Sequence, residues 1–369
     1  MHKVIVYDSD HHGAFNNRCF ETSYAKEGPG HSFTVELGRV AVERGYEITT
    51  GDLFLKKNYP KDTIAFCLTD MLSKRTDLIL KKGAIPFICL STESPLIAKD
   101  FYFNIKKLAG KFIYNMQFRG TAERLNQTST IFLPMYFPVD SRTPLDYSDW
   151  GNRKFLTLIN RNKRIFFTGY SSINDLVRSL LSRIKLRVLK WIDPWIRSKE
   201  IYKDRIEAIR FFSKYSDFCL YGKDWEKRIP GFPLSYHTAA LKAFKGGIPS
   251  DQKLNVLNQF KFVICFENCS FPGYVTEKIF DCFLAGAIPI YFGAPDINDF
   301  VPENTFIDFR RFKDFNELDV YLQNFSEEEA YQMLESAKKF LASKDFDKYF
   351  LQDTIKDILN RIDRYPEKL

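Results

Sequence analysis

The chain of 369 residues contains no run of 18 or more apolar residues. Its first residues, MHKVIVYDSD, have neither the apolar core nor the small-residue cleavage pattern of a secretory signal. These absences predict a cytoplasmic protein without a membrane span. No Walker loop, nucleophile elbow or zinc-protease motif is present. Zinc-finger spacing and continuous Lys/Arg runs are also missing, so nucleic acid is not an expected partner although the formal charge is +8. That modest excess suits a phosphate-bearing ligand or an anionic membrane surface. Cysteine is sparse and odd in number, at seven. Cys67, Cys89, Cys219 and Cys265 sit inside apolar runs (IAFCL, PFICL, DFCLYG, FVICFE), where a thiol behaves as a small buried hydrophobe. A disulfide framework is therefore not indicated, and a reduced compartment is expected. Three N-glycosylation sequons, at Asn126, Asn268 and Asn324, read as chance matches in such a chain.

The length exceeds what one core usually holds and predicts two domains. Strand runs and helical periodicity alternate. In the first half, strands are expected at Lys3–Tyr7, Thr63–Leu68 and Ala84–Leu90, with further apolar runs at Lys111–Asn115 and Thr130–Phe137. Helices are expected at His31–Gly45 and Leu72–Lys82, stopped by Gly45 and Gly83. The segment Pro138–Gly151 is polar and rich in Pro, Asp and Ser, as a linker is. Alternation then resumes, with strands at Lys154–Asn160, Asp217–Tyr221, Phe262–Glu267 and Ala287–Phe292. Helices are expected at Tyr202–Lys214, Gln252–Gln259 and Val275–Ala285, and an amphipathic helical tail from Ser326. Such alternation specifies mostly parallel sheets covered by helices, an α/β fold of two Rossmann-like halves with a C-terminal helical tail. The expected division is an acceptor domain at 1–150, a donor domain at 151–345 and a terminal helix at 346–369. A basic insertion at 173–198 interrupts the donor domain. There Val177, Leu180, Leu181, Ile184, Val188, Trp191 and Trp195 fall at helical spacing. It reads either as a helix lying on an anionic membrane or as one packed on the body.

The most informative stretch is FVICFENCSFPGYVTEKIFDCFLAGAIPIYFG, Phe262–Gly293. It reads as a buried strand, a loop with Pro272 and Gly273, a helix opening with Glu277 and Lys278, and a second buried strand. A strand-end loop followed by a helix N-terminus favours phosphate. Lys278 adds a positive charge for a diphosphate, and Glu277 can accept hydrogen bonds from both ribose hydroxyls. The same two residues also read as an ordinary exposed pair on an amphipathic helix.

This run closely resembles the signature of the α1,3-fucosyltransferase family, bacterial type: F-E-N, then Y-V-T-E-K, an apolar helix and a P-x-x-x-G strand. The resemblance implies a GT-B fold, two facing Rossmann-like domains with the donor in the C-terminal one. It implies Asn268, Tyr274, Glu277 and Lys278 as donor contacts. FLTLINRNK, YKDRIEAIRFFSKY and LYGKDWE resemble the start of the family's donor domain, whose arginine on the diphosphate falls at Arg205, with Arg210 as the fallback. STESP at Ser91–Pro95 resembles the family's E-S-P element, which makes Glu93 the catalytic base.

The implied function is an inverting transfer of L-fucose from GDP-fucose to a hydroxyl of a lipopolysaccharide, O-antigen or capsule oligosaccharide. The expected partners are the nucleotide-sugar donor, an oligosaccharide or lipid-linked glycan acceptor and the inner face of the membrane. No cofactor is required beyond GDP-fucose as the donor substrate; a divalent metal can contribute but is not structural. The Asp8-Ser9-Asp10 triplet lies in the acceptor half, the wrong place for a metal on the donor diphosphate. The alternatives are a transferase of the same fold using another nucleotide sugar and a non-catalytic nucleotide-sugar-binding protein.

Overall fold

Runs of Val, Ile, Leu and Phe build two parallel sheets in the computed structural model, which describes residues 3–9, 14–27, 31–60, 64–68, 74–125, 131–162, 199–227 and 232–365. The basic segment 173–198, Asp10 and Asn126 lie outside the described residues. The chain divides into two units, one formed by Met1–Asp140 with Asp347–Leu369, the other by Ser141–Phe346.

In the first unit, β1 (Val4–Asp8), β2 (Glu47–Thr50), β3 (Ile64–Leu68), β4 (Ile85–Leu90), β5 (Tyr114–Gln117) and β6 (Ile131–Pro134) form one sheet. Their order is β2-β1-β3-β4-β5-β6, with every pair parallel. All five residues of β1 are buried, which explains why its first four, VIVY, form a continuous apolar run rather than an alternating one. From β1 the chain steps outward to β2 and then returns to the other side for β3. The topological switch therefore lies between β1 and β3, where ligands of open α/β sheets bind.

The second unit contains β7 (Lys154–Ile159), β9 (Phe218–Tyr221), β10 (Phe260–Phe266), β12 (Ile288–Phe292) and β13 (Ile307–Asp308). Their order is β13-β12-β10-β7-β9, again parallel throughout. Two short strands, β8 (Lys199–Glu200) and β11 (Cys269–Ser270), pair antiparallel outside this sheet. Here the switch falls between β7 and β10. Phenylalanine fills the core: Phe212, Phe218, Phe262, Phe266 and Phe292 are all buried. Trp150 meets Phe262 edge-on with centroids 5.6 Å apart, a favoured aromatic geometry.

The tail, expected as one helical stretch, is two helices that join different cores. Glu327–Leu341 starts with a capping box between Ser326 and Glu329 and belongs to the second unit. Leu351–Asp363 returns to the first unit and buries Leu351, Ile355, Ile358, Leu359 and Ile362 at helical spacing. Its end is pinned there, because Tyr46 Oη donates to Asp363 at 2.5 Å and Arg44 donates to Asn360 at 2.8 Å. Two apolar stripes separated by the 3₁₀ turn at Lys344–Tyr349 can each face a separate core, which a sequence periodicity does not reveal.

Candidate active site

The switch point of the second unit is built from the ends of β7 and β10. Beyond β7, the backbone of Asn160 is held on both sides. Its N–H donates to the Tyr221 carbonyl at 2.9 Å, and its carbonyl accepts the Trp225 indole N–H at 2.6 Å. Gly222, with φ +132°, lies so close that a Cβ there would sit 1.9 Å from the Asn160 oxygen. Only glycine permits that approach.

The helix Tyr202–Phe212 brings Arg205 to the same place, 2% exposed. Its guanidinium donates to the Phe266 carbonyl at 2.6 Å, to Asn268 Oδ1 at 3.2 Å and to Asn160 Oδ1 at 3.1 Å. Burial pulls its pKa below the ordinary arginine value, with the nearby Glu267 carboxylate opposing. Arg210, the other arginine offered by the sequence, is on the surface. It pairs with Glu207 at 3.3 Å and lies 5.1 Å from the Tyr236 ring centre. Five residues along a helix reverse the face, so the two arginines could not both reach the strand ends.

Past β10, Asn268 donates from Nδ2 to the Tyr274 hydroxyl at 3.1 Å. Both residues are buried, so the Asn268 sequon is closed to a glycan. The intervening loop turns at Gly273, φ +73°, whose N–H donates to Asp296 Oδ1 at 2.9 Å. Asp296 thus acts in a turn, tying this loop to the segment after β12.

Glu267, which the sequence motif does not mark as a donor contact, ties together Thr276 and Lys278. Its fully buried carboxylate accepts the Thr276 N–H at 2.8 Å, the Thr276 hydroxyl at 2.9 Å and Lys278 Nζ at 2.8 Å. A carboxylate at the N-terminus of the Glu277–Leu284 helix also complements the helix dipole. One signal was available: a glutamate directly after the apolar run FVICF has to find a cationic partner if it is buried. Gly293 makes room for it, since a Cβ there would lie 2.6 Å from Glu267 Cγ.

Lys278 also donates to Thr276 Oγ1 at 2.7 Å and sits 3.7 Å from Glu277. Burial works against its charge, but Glu267 and Glu277 outweigh it and hold the ammonium above its ordinary pKa. Burial likewise acts against the Glu277 carboxylate, while Lys278 and Lys253 together keep it below the usual glutamate value. Lys253 forms an ion pair with Asp281, one turn after Glu277 on the same helix. Arg205, Lys253 and Lys278 are the charged residues, among those described, that line a cavity of about 30 Å³ between the ends of β7 and β10. Of the five residues expected to contact the donor, Arg205, Asn268 and Tyr274 are joined by hydrogen bonds and Glu277 sits beside Lys278, while Arg205 and Lys278 line the same cavity.

The first unit places Glu93 after the end of β4. Its carbonyl accepts the Tyr102 hydroxyl at 3.0 Å, and Tyr102 also meets Ser91 Oγ at 2.8 Å. The bend carrying Glu93 is thereby fixed, with Ser91 buried and Glu93 partly exposed. At the end of β1, Asp8 is occupied by Arg75, which donates at 2.7 and 2.9 Å. Among the described residues no group of three or more His, Cys, Asp or Glu side chains has a metal-binding arrangement, and no described helix is long and apolar enough to cross a membrane. All seven cysteines are buried and unpaired in disulfides.

Residues 190–349 match the family model described as glycosyltransferase family 10 (fucosyltransferase), C-terminal. An alpha-(1,4)-fucosyltransferase of Arabidopsis thaliana is 39% identical over 72 residues, 20% of this chain and 18% of the plant protein. The alpha-(1,3)-fucosyltransferase FucT of Helicobacter pylori is 44% identical over 72 residues, 19% of this chain and 15% of the other. The matched stretch thus spans less than a fifth of the length of either relative. A solved structure of Anabaena Alr3699/HepE in complex with UDP-glucose shares the fold, with TM-score 0.55, 10% identity and coverage of 98% of this chain and 100% of that one. The fold is accordingly the α/β GT-B class with parallel sheets. The segment that carries the F-E-N and Y-V-T-E-K residues lies within the part of the chain that matches the C-terminal model of glycosyltransferase family 10, the fucosyltransferases.

Proposed function

We propose that the protein transfers L-fucose from GDP-fucose, with inversion, to a hydroxyl of an oligosaccharide. The acceptor position in this reading is O3 of GlcNAc or Glc within a lipopolysaccharide, O-antigen or capsule glycan. The observation that carries the reading is the group Arg205, Asn268, Tyr274, Glu277 and Lys278 at the switch point of the second sheet. The names of the relatives, fucosyltransferases of plant and bacterial origin, supply the sugar.

In this mechanism Glu277 accepts hydrogen bonds from the ribose hydroxyls, and Lys278 and Arg205 face the diphosphate. Glu93 takes the proton from the acceptor hydroxyl as that oxygen attacks C1 of fucose. The bond from C1 to the phosphate oxygen breaks, and GDP leaves with the electron pair. The developing charge falls on the diphosphate, where fixed cations stabilise the transition state more than the ground state. A single displacement inverts C1, so one base suffices and no covalent intermediate forms.

Calorimetric titration with GDP, GDP-fucose, GDP-mannose, UDP-galactose and UDP-GlcNAc tests the donor. Binding confined to GDP and GDP-fucose is expected. Preference for another nucleotide sugar replaces fucose in this reading, and no binding to any of them removes it. The basic segment 173–198 is proposed to hold the enzyme at the inner face of the membrane. Deleting it should lower binding to anionic vesicles, and equal binding sinks that part.

A further inference from the structure

The group at the second switch point contains a residue assigned no role so far. Asn160 follows β7 and lines the same cavity as Arg205, Lys253 and Lys278. Its side-chain orientation is set, because Oδ1 accepts from the Arg205 guanidinium at 3.1 Å, a group that only donates. Its backbone is equally fixed, between the Tyr221 carbonyl, the Trp225 indole and the close Cα of Gly222. The other half of the amide, Nδ2, is buried and has no hydrogen-bond partner among the described residues. A buried donor left unsatisfied is costly. In a cleft at a sheet switch point, such a group marks where a ligand acceptor belongs. The charged residues lining the cavity are all cationic, so the complementary acceptor is an anionic oxygen.

We propose that Asn160 is a donor-binding residue whose Nδ2 donates to an oxygen of the nucleoside diphosphate. It would act beside Arg205 and Lys278 as a neutral third donor. A neutral group adds a hydrogen bond without adding repulsion to a site that already gathers three cations. An amide held by the backbone at the end of a strand also loses little entropy on binding, unlike a lysine on a flexible stem. This inference rests on the nucleotide-sugar reading above, but it concerns the diphosphate and not the sugar.

The test is titration of the full chain and of Asn160→Asp and Asn160→Ala with GDP and with guanosine, together with thermal unfolding without ligand. Asn160→Asp keeps the acceptor toward Arg205 and replaces the donor with a carboxylate oxygen. It should weaken GDP binding about tenfold or more, and Asn160→Ala should weaken it less. Guanosine, which lacks the diphosphate, should bind all three forms alike. A purely structural role for Asn160 would reduce guanosine and GDP binding together and lower the unfolding temperature of the free protein. GDP binding unchanged in both variants, or guanosine binding lost in parallel, overturns the inference. If Asn160→Asp does not fold, the GDP-against-guanosine comparison on Asn160→Ala decides it. Failure of the unaltered protein to bind any nucleoside diphosphate, by contrast, removes the nucleotide-sugar reading itself.

Discussion

At the end of β1, the fully buried Asp8 accepts two hydrogen bonds from Arg75. At the end of β10, the fully buried Glu267 accepts from Lys278 and twice from Thr276. Both units thus place a buried acid and a cation at the carboxyl edge of a parallel sheet, beside or at a switch point. Their cations differ in what else they do. Arg75 also donates to the Ser9 carbonyl at 2.9 Å and lies 4.2 Å from the Phe15 ring centre, so it closes its own loop. Lys278, about a quarter exposed, lines a cavity with two further cations. The same electrostatic device can therefore anchor a loop or present charge to a ligand. What separates the two is whether the cation faces other cations across a space. Isolated buried pairs are weak evidence of function, since their desolvation cost offsets much of their attraction.

The contrast between the units is most sharply tested by Glu93→Gln. Turnover should fall about 10²- to 10⁴-fold, while GDP affinity measured by calorimetry stays unchanged. Normal turnover would end the assignment of the base to the first unit. Next in size are two arginines, Arg75 of the first unit, partly buried, and Arg205 of the second, fully so. Arg75→Ala leaves Asp8 without its cation and should cost about 3–5 kcal/mol of stability by chemical denaturation, with GDP affinity intact. Arg205→Ala should lower both stability and GDP affinity; if it spares binding, the cation difference between the units disappears. Lys278→Ala should weaken GDP binding by about 1–3 kcal/mol in the same titration.

A smaller effect concerns pH. Glu277 is held below the ordinary glutamate value, so its contribution to stability is present above the unfolded pKa of about 4.3. That contribution is lost as pH falls through the lower folded value. The stability gap between the protein and Glu277→Gln should thus be constant from pH 7 to 5 and close only in more acid solution. A gap that closes near neutrality contradicts the assignment. Smallest of all, Arg210→Ala should change stability by no more than about 0.5 kcal/mol and leave GDP binding alone, because its pair with Glu207 is exposed.

Local sequence was sufficient for much of this. The runs KVIVY, AIPFICL and FVICF have the apolar continuity that a doubly covered parallel strand requires; AIPFICL contains its strand, and the other two overlap theirs, which run one residue further at Asp8 and two residues earlier at Phe260. The short strand Glu47–Thr50 carries no apolar signal, because three of its four residues, EITT, are polar and only its last two residues are buried. The helix Leu234–Ala243 was missed as well; its apolar residues Leu234 and Leu241 are exposed, so no clear stripe marks it. The motif around Glu277 and Lys278 could be placed on a strand, loop and helix from residue types alone. Even the choice between Arg205 and Arg210 was already narrowed to two.

Selecting between those two needed the tertiary structure, because helical periodicity gives relative faces and only packing decides which face meets the strand ends. Glu267 was equally out of reach: its importance comes from Thr276 and Lys278, nine and eleven residues away, folding back onto it. The role argued for Asn160 depends on Arg205, forty-five residues further along, taking one end of its amide and leaving the other. The sequence by itself determined the alternation of strands and helices, the resemblance carried by the F-E-N and Y-V-T-E-K residues and the segment that bears the candidate chemistry, since these rest on local pattern. The tertiary structure decided which charges are paired, which donor lacks a partner and which core each tail helix joins, since those follow from contacts between residues distant in the chain.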